Sequence, residues 1–182
     1  MVAKILSATF LLASVISAAA LPSVHSARES TSFRLIARLD GYHSMPGIDG
    51  LEVAFTSPAD GVGIVTLVSP GNGKMVTSLD GNTVSINKFE CPDGGVGQWL
   101  VSPGGTATVP SINTVDLKCQ GGSSQFFITP EDSLLHYQGG SWMGCRGSTV
   151  GLGDQIIALS FFKDGQRPLY GCQEVRLVAK FP

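Results

Sequence analysis

From Phe33 onward the chain alternates short runs of β-branched and aromatic residues with clusters of Gly, Pro, Asn, Asp and Ser. That is the pattern of strands joined by tight turns. The runs are FRLIARL (33–39), GLEVAFTS (50–57), VGIVTLVS (62–69), MVTSLDGNTVSI (75–86), QWLVS (98–102) and TVDLKC (114–119). QFFIT (125–129), SLLHY (133–137), SWMGC (141–145), QIIALSFF (155–162) and QEVRLVAKF (173–181) follow. Within the fourth run, Asp80-Gly81 separates two alternating halves, and a two-residue hairpin loop requires the positive φ that glycine adopts without penalty. No window carries a sustained 3.6-residue period, so helices are expected to be absent or short.

Many short strands with frequent turns imply an all-β domain, either a closed barrel or a two-sheet sandwich. DGLEVAF at 49, DGNTVSI at 80 and EDSLLHY at 131 each place an acidic or Gly-bearing turn before an alternating strand, at spacings of 31 and 51 residues. This uneven threefold echo favours a β-trefoil-like barrel, with roughly four strands per third, over the β-sandwich.

The first residues change the picture of where such a domain works. MVAKILSATFLLASVISAAALPS has one charge, Lys4, then an apolar run, then Ala18 and Ala20 as small residues before a cleavage point. The run is too short to cross a bilayer of about 30 Å and reads as a secretory signal peptide over residues 1–20. A polar leader or pro-segment, 21–32, and a single β-domain, 33–182, are expected to follow. The C-terminal GCQEVRLVAKFP contains Glu174, Arg176 and Lys180 and resembles neither a membrane span nor a lipid-attachment tail. The expected destination is extracellular fluid or the cell wall, with no membrane anchor.

Composition agrees with a loop-rich extracellular protein. Charged residues make up only 14% of the chain, its formal net charge is −2, and it contains 23 Gly and 10 Pro. No Lys/Arg block exists, which argues against nucleic acid as a partner. Cys91, Cys119, Cys145 and Cys172 are spaced by 28, 26 and 27 residues, without the Cys-x-x-Cys spacing of a metal site. Two disulfides are expected from an even count on an oxidising route. Four cysteines allow three pairings. Joining neighbours, Cys91–Cys119 and Cys145–Cys172, closes the shorter loops and is favoured, each stabilising by about 3 kcal/mol in the chain-entropy account.

Catalytic patterns are missing. No Gly-x-Ser-x-Gly elbow occurs, and His25, His43 and His136 are isolated from any metal-binding spacing. The glycines of SPGNGK (69–74) do not make a phosphate-binding loop. Glu131, Asp132, Asp80, Asp154 and Asp164 all suit turns. The expectation is a protein that is not an enzyme and uses neither cofactor nor metal.

One segment resembles a known family. QFFITPEDSLLHYQGGSWMGCRGS followed by QIIALSFFKDGQRPLYGCQEVRLVAKF has an aromatic strand ending in a Thr-Pro-acidic turn, then a Leu strand. An aromatic residue before a cysteine, an apolar strand and a closing Gly-Cys-x-x-Val-x-Leu-x-Ala complete it. In this order residues 125–181 resemble the C-terminal domains of fungal cell-wall proteins, both the Pir type and the phialide-associated PhiA type. The resemblance places Cys145 and Cys172 on the family's closing cysteines and Ile128, Pro130, Leu134, Trp142, Val175 and Leu177 on structural positions. It implies a secreted, non-enzymatic wall protein. The Gln-rich repeats through which the Pir type is esterified to glucan are not present, nor is any Asn-x-Ser/Thr sequon.

Within that segment SLLHYQGGSWMGCRGS (133–148) reads as a hairpin. Leu134, His136 and Gln138 would face one side and Leu135 and Tyr137 the other; Gly139-Gly140 would turn, and Trp142 would pack near the Cys145 disulfide. A functional reading uses the same residues: Tyr137 and Trp142 as stacking platforms for a sugar, with His136 and Gln138 as hydrogen-bond partners, and Trp99 as a further platform. The expected partner is a wall polysaccharide, β-glucan or chitin. The alternative is an extracellular effector or hydrolase inhibitor that binds a protein partner through a long loop such as LDGYHSMPGIDG (39–50).

Overall fold

The computed structural model describes residues 32–39, 45, 47–59, 61–73, 75 and 77–182. The expected signal peptide, the leader before Ser32, His25, His43 and the 40–44 part of the long loop lie outside the described residues. Among the described residues the regular structure is twelve strands and one 3-10 turn, Gly147–Val150. The strands are β1 Ser32–Arg38, β2 Glu52–Ala59, β3 Val62–Val68, β4 Thr77–Asp80, β5 Thr83–Ile86 and β6 Gly97–Leu100. β7 Asp116–Lys118, β8 Phe126–Ile128, β9 Leu135–Tyr137, β10 Ser141–Arg146, β11 Ile157–Phe162 and β12 Cys172–Lys180 complete them.

All ladders are antiparallel, and they close. Starting from β11, the pairings run through β10, β12, β1, β4, β5, β6, β7 and β3 and return to β11, a nine-strand circuit, with β2 bridging β1 and β3. Two stacked sheets would keep open edges, so closure excludes the sandwich. The strands also divide into three four-strand units whose first members begin at Ser32, Thr83 and Leu135. Within each unit the middle pair forms a hairpin: β2–β3, β6–β7 and β10–β11.

The remaining six strands are linked around a ring. β1 pairs with β4 and β12, β4 with β5, and β8 with β9. Phe126 N donates to Asn82 O at 3.0 Å, and Ala179 N to Ser133 O at 2.8 Å beside the Leu134↔Val178 bridge, which joins the β8–β9 pair to its neighbours. The three hairpins meet where Val65 N donates to Val115 O (2.8 Å) and Val115 N to Leu159 O (2.9 Å). This is the β-trefoil-like barrel. The sequence echo catches the second and third units at Thr83 and Leu135, but its first element is β2, a hairpin strand, rather than β1. That displacement is why its spacing looks uneven.

Period-two alternation sets which side chains fill the barrel. In β1 the residues Phe33, Leu35 and Ala37 are buried between exposed Arg34 and Arg38, and in β12 Val175, Leu177 and Ala179 are buried in the same way. Trp99, Phe126, Leu35, Ile86, Leu117 and Leu159 are all under 2% exposed at the centre. Both disulfides form in the favoured pairing, Cys91–Cys119 and Cys145–Cys172. The second joins directly opposed residues of β10 and β12, with Cα atoms 4.1 Å apart.

Two turns differ from the sequence reading by one residue. The Asp80↔Thr83 pair leaves Gly81-Asn82 as the hairpin loop, with Gly81 at φ 63°. The β9–β10 turn is centred on Gln138-Gly139, at φ 45° and 72°, closed by Gly140 N donating to Tyr137 O at 3.1 Å. Positive φ at both central residues is the tight-hairpin geometry that matches strand twist. Gly140 is required for another reason: a Cβ there would collide with the Phe161 ring and the Phe162 carbonyl.

Candidate functional site at the mouth of the barrel

The residues proposed from sequence as sugar platforms are core residues. Trp99 is 0% exposed, Trp142 3% and Tyr137 3%. Trp142 lies with its ring edge-on to Trp99 at 5.9 Å and parallel to Phe126 at 6.3 Å, and its Nε1 donates to Leu135 O at 2.7 Å. None of the three offers a ring face to a ligand. Trp142 also does not pack on the Cys145 disulfide. Alternation along β10 sends Trp142 into the main core, while Met143 and Cys145 point to the opposite face, where they cluster with Phe162 and Cys172. Gln138 is exposed in its turn, and His136 is half-buried.

Among the described residues the exposed aromatics are elsewhere: Tyr170, fully exposed in the β11–β12 connection, and two phenylalanines that stand together. Phe127 and Phe181 are 49% and 48% exposed and flank a depression of about 550 Å³. It sits at the end of the ring where β1, β5 and β9 begin and β4, β8 and β12 end. Gly81 and Asn82 from the β4–β5 turn, Thr129 and Pro130 after β8, and Ser133 before β9 complete its rim. Among the described residues none that lines it is charged. The polar groups are an amide and two hydroxyls, set among rings and aliphatic carbons.

Local structure fixes these groups. Phe181 packs its edge on Phe33 at 5.8 Å. Phe127 is opposed to His136 across the β8–β9 ladder, and the two rings stack at 5.0 Å with planes 15° apart. The turn from β8 to β9 is held by Ser133 N donating to Thr129 O (2.9 Å) and by the Asp132 carboxylate. Asp132 accepts from the Thr129 hydroxyl and from Leu134 N at 3.2 Å. The hydrogen bond from Thr129 is the main cause that holds the Asp132 carboxyl below its ordinary value of 3.8.

Among the described residues, hydroxyl, carboxylate and imidazole gather at Thr129, Asp132 and His136. The order is wrong for a nucleophile. The carboxylate accepts the hydrogen bond of the threonine hydroxyl directly, whereas a triad needs it behind the imidazole to orient the base. His136 Nε2 is 3.5 Å from Thr129 Oγ1, beyond useful proton-transfer distance. The arrangement is a capped turn. Among the described residues no group of three His, Cys, Asp or Glu side chains is placed to hold a metal ion.

Sequence reasoning missed Phe127 and Phe181. A usable signal was present in QFFIT: adjacent strand residues face opposite sides, so one of Phe126 and Phe127 has to point outward once the other enters the core. Phe181 carries no such signal, because it follows the last β12 ladder residue.

Fold and site together define a disulfide-stapled, trefoil-like β-barrel domain with a phenylalanine-rimmed mouth whose described lining is uncharged. A family model described as "Domain of unknown function (DUF7907)" matches residues 30–181, and the chain belongs to that family. No curated protein and no solved structure matches the chain. Among the described residues no helix is long and apolar enough to cross a membrane.

Proposed function

We propose that this is a secreted, non-enzymatic, fungal-type cell-wall protein that binds a neutral wall polysaccharide, β-glucan or chitin, at the mouth of its barrel. The observation that carries the reading is the pair of exposed rings, Phe127 and Phe181, beside a lining that has amide and hydroxyl groups and no charge. A pyranose ring has an apolar C–H face and a hydroxyl edge, and such a lining complements both. Absence of charge in the lining favours a neutral polymer over an anionic one, since a carboxylate or phosphate would lose its hydration without a compensating cation. Two disulfides and the apolar N-terminal run support export, and the resemblance of residues 125–181 to fungal wall proteins supports the wall as destination.

The test is sedimentation of the oxidised protein with insoluble β-1,3-glucan, chitin and cellulose, beside its Phe127→Ala variant. Saturable retention by one polymer is expected, falling by about tenfold or more in Phe127→Ala. Retention no greater than on an inert powder would sink the reading.

A second reading, an extracellular protein that engages a protein partner, has its own support in the β6–β7 connection. Val109 and Ile112 are 50% and 59% exposed there. Their loop is clamped by the buried Gln166 carboxamide, whose Nε2 donates to Thr106 O at 2.7 Å and Gly104 O at 3.0 Å. A rigid loop presenting apolar side chains loses little entropy on docking.

A further inference from the structure

The Phe127–His136 stack has a depression on each side. Directly opposed strand residues project from the same face of their ladder, so this two-ring ridge stands on the outer surface of the β8–β9 hairpin. On one side lies the barrel mouth. On the other lies a groove of about 470 Å³ between β9, the start of β10 and β12, with His136 in its wall. The register of β12 accounts for this groove. β12 is paired with β10 as far as Val175 and meets Leu134, just before β9, at Val178, and the groove opens over the step between the two partners.

The two depressions differ in chemistry. The described lining of the mouth is uncharged and rimmed by rings, whereas the groove carries His136, Ser141, Glu174 and Arg176 over walls that include Trp142 and Val175. Carboxylate, guanidinium, imidazole and hydroxyl groups are donors and acceptors for the hydroxyl edge of a sugar, which the mouth serves through one amide and two hydroxyls alone. We infer that the groove is a second subsite for the same ligand: one polysaccharide chain crosses the ridge over Phe127, held by a sugar face in the mouth and by sugar hydroxyls in the groove. This rests on the proposed reading of the mouth as a neutral-glycan site. The ligand it selects is a linear polymer several units long, rather than a mono- or disaccharide.

The experiment is calorimetric titration of the full oxidised protein with β-1,3-gluco-oligosaccharides and chito-oligosaccharides, from disaccharide to hexasaccharide. In one series affinity is expected to rise by about tenfold or more once the oligosaccharide spans the ridge, then to level off, because the second contact is made within the bound complex. Ser141→Trp, which fills the groove, and Glu174→Ala, at an exposed strand position that keeps the fold if the bulkier change does not, should each flatten that rise and leave disaccharide binding unchanged. A disaccharide that binds as tightly as the hexasaccharide would overturn the second subsite and leave the mouth reading standing. A length-dependent rise that survives Glu174→Ala and a folded Ser141→Trp would overturn it equally. Failure of every oligosaccharide and of the insoluble polymers would remove both readings together.

Discussion

Trp99, Phe126, Tyr137, Trp142 and Phe161 form a continuous set of ring contacts inside the barrel, with centroids 4.7 to 6.3 Å apart. Phe127 and Phe181 sit at the mouth, each with about half its surface in solvent. The comparison reverses the weight that residue type invites. Tryptophan and tyrosine are the side chains most readily assigned to sugar stacking, yet Trp99, Trp142 and Tyr137 are buried, Tyr170 is exposed away from the mouth, and the mouth itself presents the plainer phenylalanines. Position relative to the ladder decides this. Phe126 and Phe127 are neighbours in one strand and differ completely in burial because successive strand residues face opposite sides. In the barrel, aromatic area is used to exclude water; at the mouth the same kind of area remains available to a ligand.

The comparison breaks most readily at its buried end. Trp142→Ala removes the indole from the aromatic cluster and leaves Leu135 O without its donor, so unfolding free energy should fall by about 3–5 kcal/mol in a denaturant titration. A folded variant of near wild-type stability that has lost polysaccharide retention would instead restore Trp142 as a platform. Next in size is the opposite face of the same strand. Cys145→Ser should cost about 2–5 kcal/mol, read as a lower melting temperature that reduction of the variant at this pair no longer changes. Phe127→Ala sharpens the other side of the comparison. Its stability should change by less than about 1 kcal/mol while retention is lost, a separation that a core ring would not permit.

The smallest expected effect concerns the turn below the mouth. The Asp132 carboxyl is lowered from 3.8 by the Thr129 hydroxyl, so the folded state binds its proton more weakly than the unfolded chain does. Its stabilising contribution is complete above pH 3.8 and is lost as the pH falls through the lower folded value. Asp132→Asn should therefore show a shallower loss of stability below about pH 4 than wild type, with no difference in slope at neutral pH. Identical acid-unfolding curves would show that this turn gains nothing from the charge. Asp93, lowered chiefly by the Gln120 amide, acts in the same direction and remains as an internal control in the variant.

Most of the fold was legible because it is written in local alternation. Each apolar run from Phe33 onward became a strand or a hairpin, with Asp80-Gly81 marking its turn to within one residue. Loop length favoured the disulfide pairing that formed but did not decide it among the three, because the choice depends on which strands are brought side by side. What was not legible in SLLHYQGGSWMGCRGS was the direction of each face. The alternation of Leu135 and Tyr137 against His136 and Gln138 was correct, but which set entered the core depends on β12 and β8, far away in sequence. The turn slipped by one residue because two consecutive glycines have different duties, one conformational at Gly139 and one steric against Phe161 at Gly140.

The sequence alone determined that this is an all-β, disulfide-bonded domain. Period two, turn residues and cysteine count are properties of neighbours along the chain, and no distant partner is needed to express them. Tertiary structure alone decided closure into a ring rather than two sheets, the burial of both tryptophans, and the meeting of Phe127 from β8, Phe181 beyond β12 and Asn82 from the β4–β5 turn at one mouth. Those are contacts between units far apart in the chain, set by which edges pair once three similar four-strand units pack around a shared core.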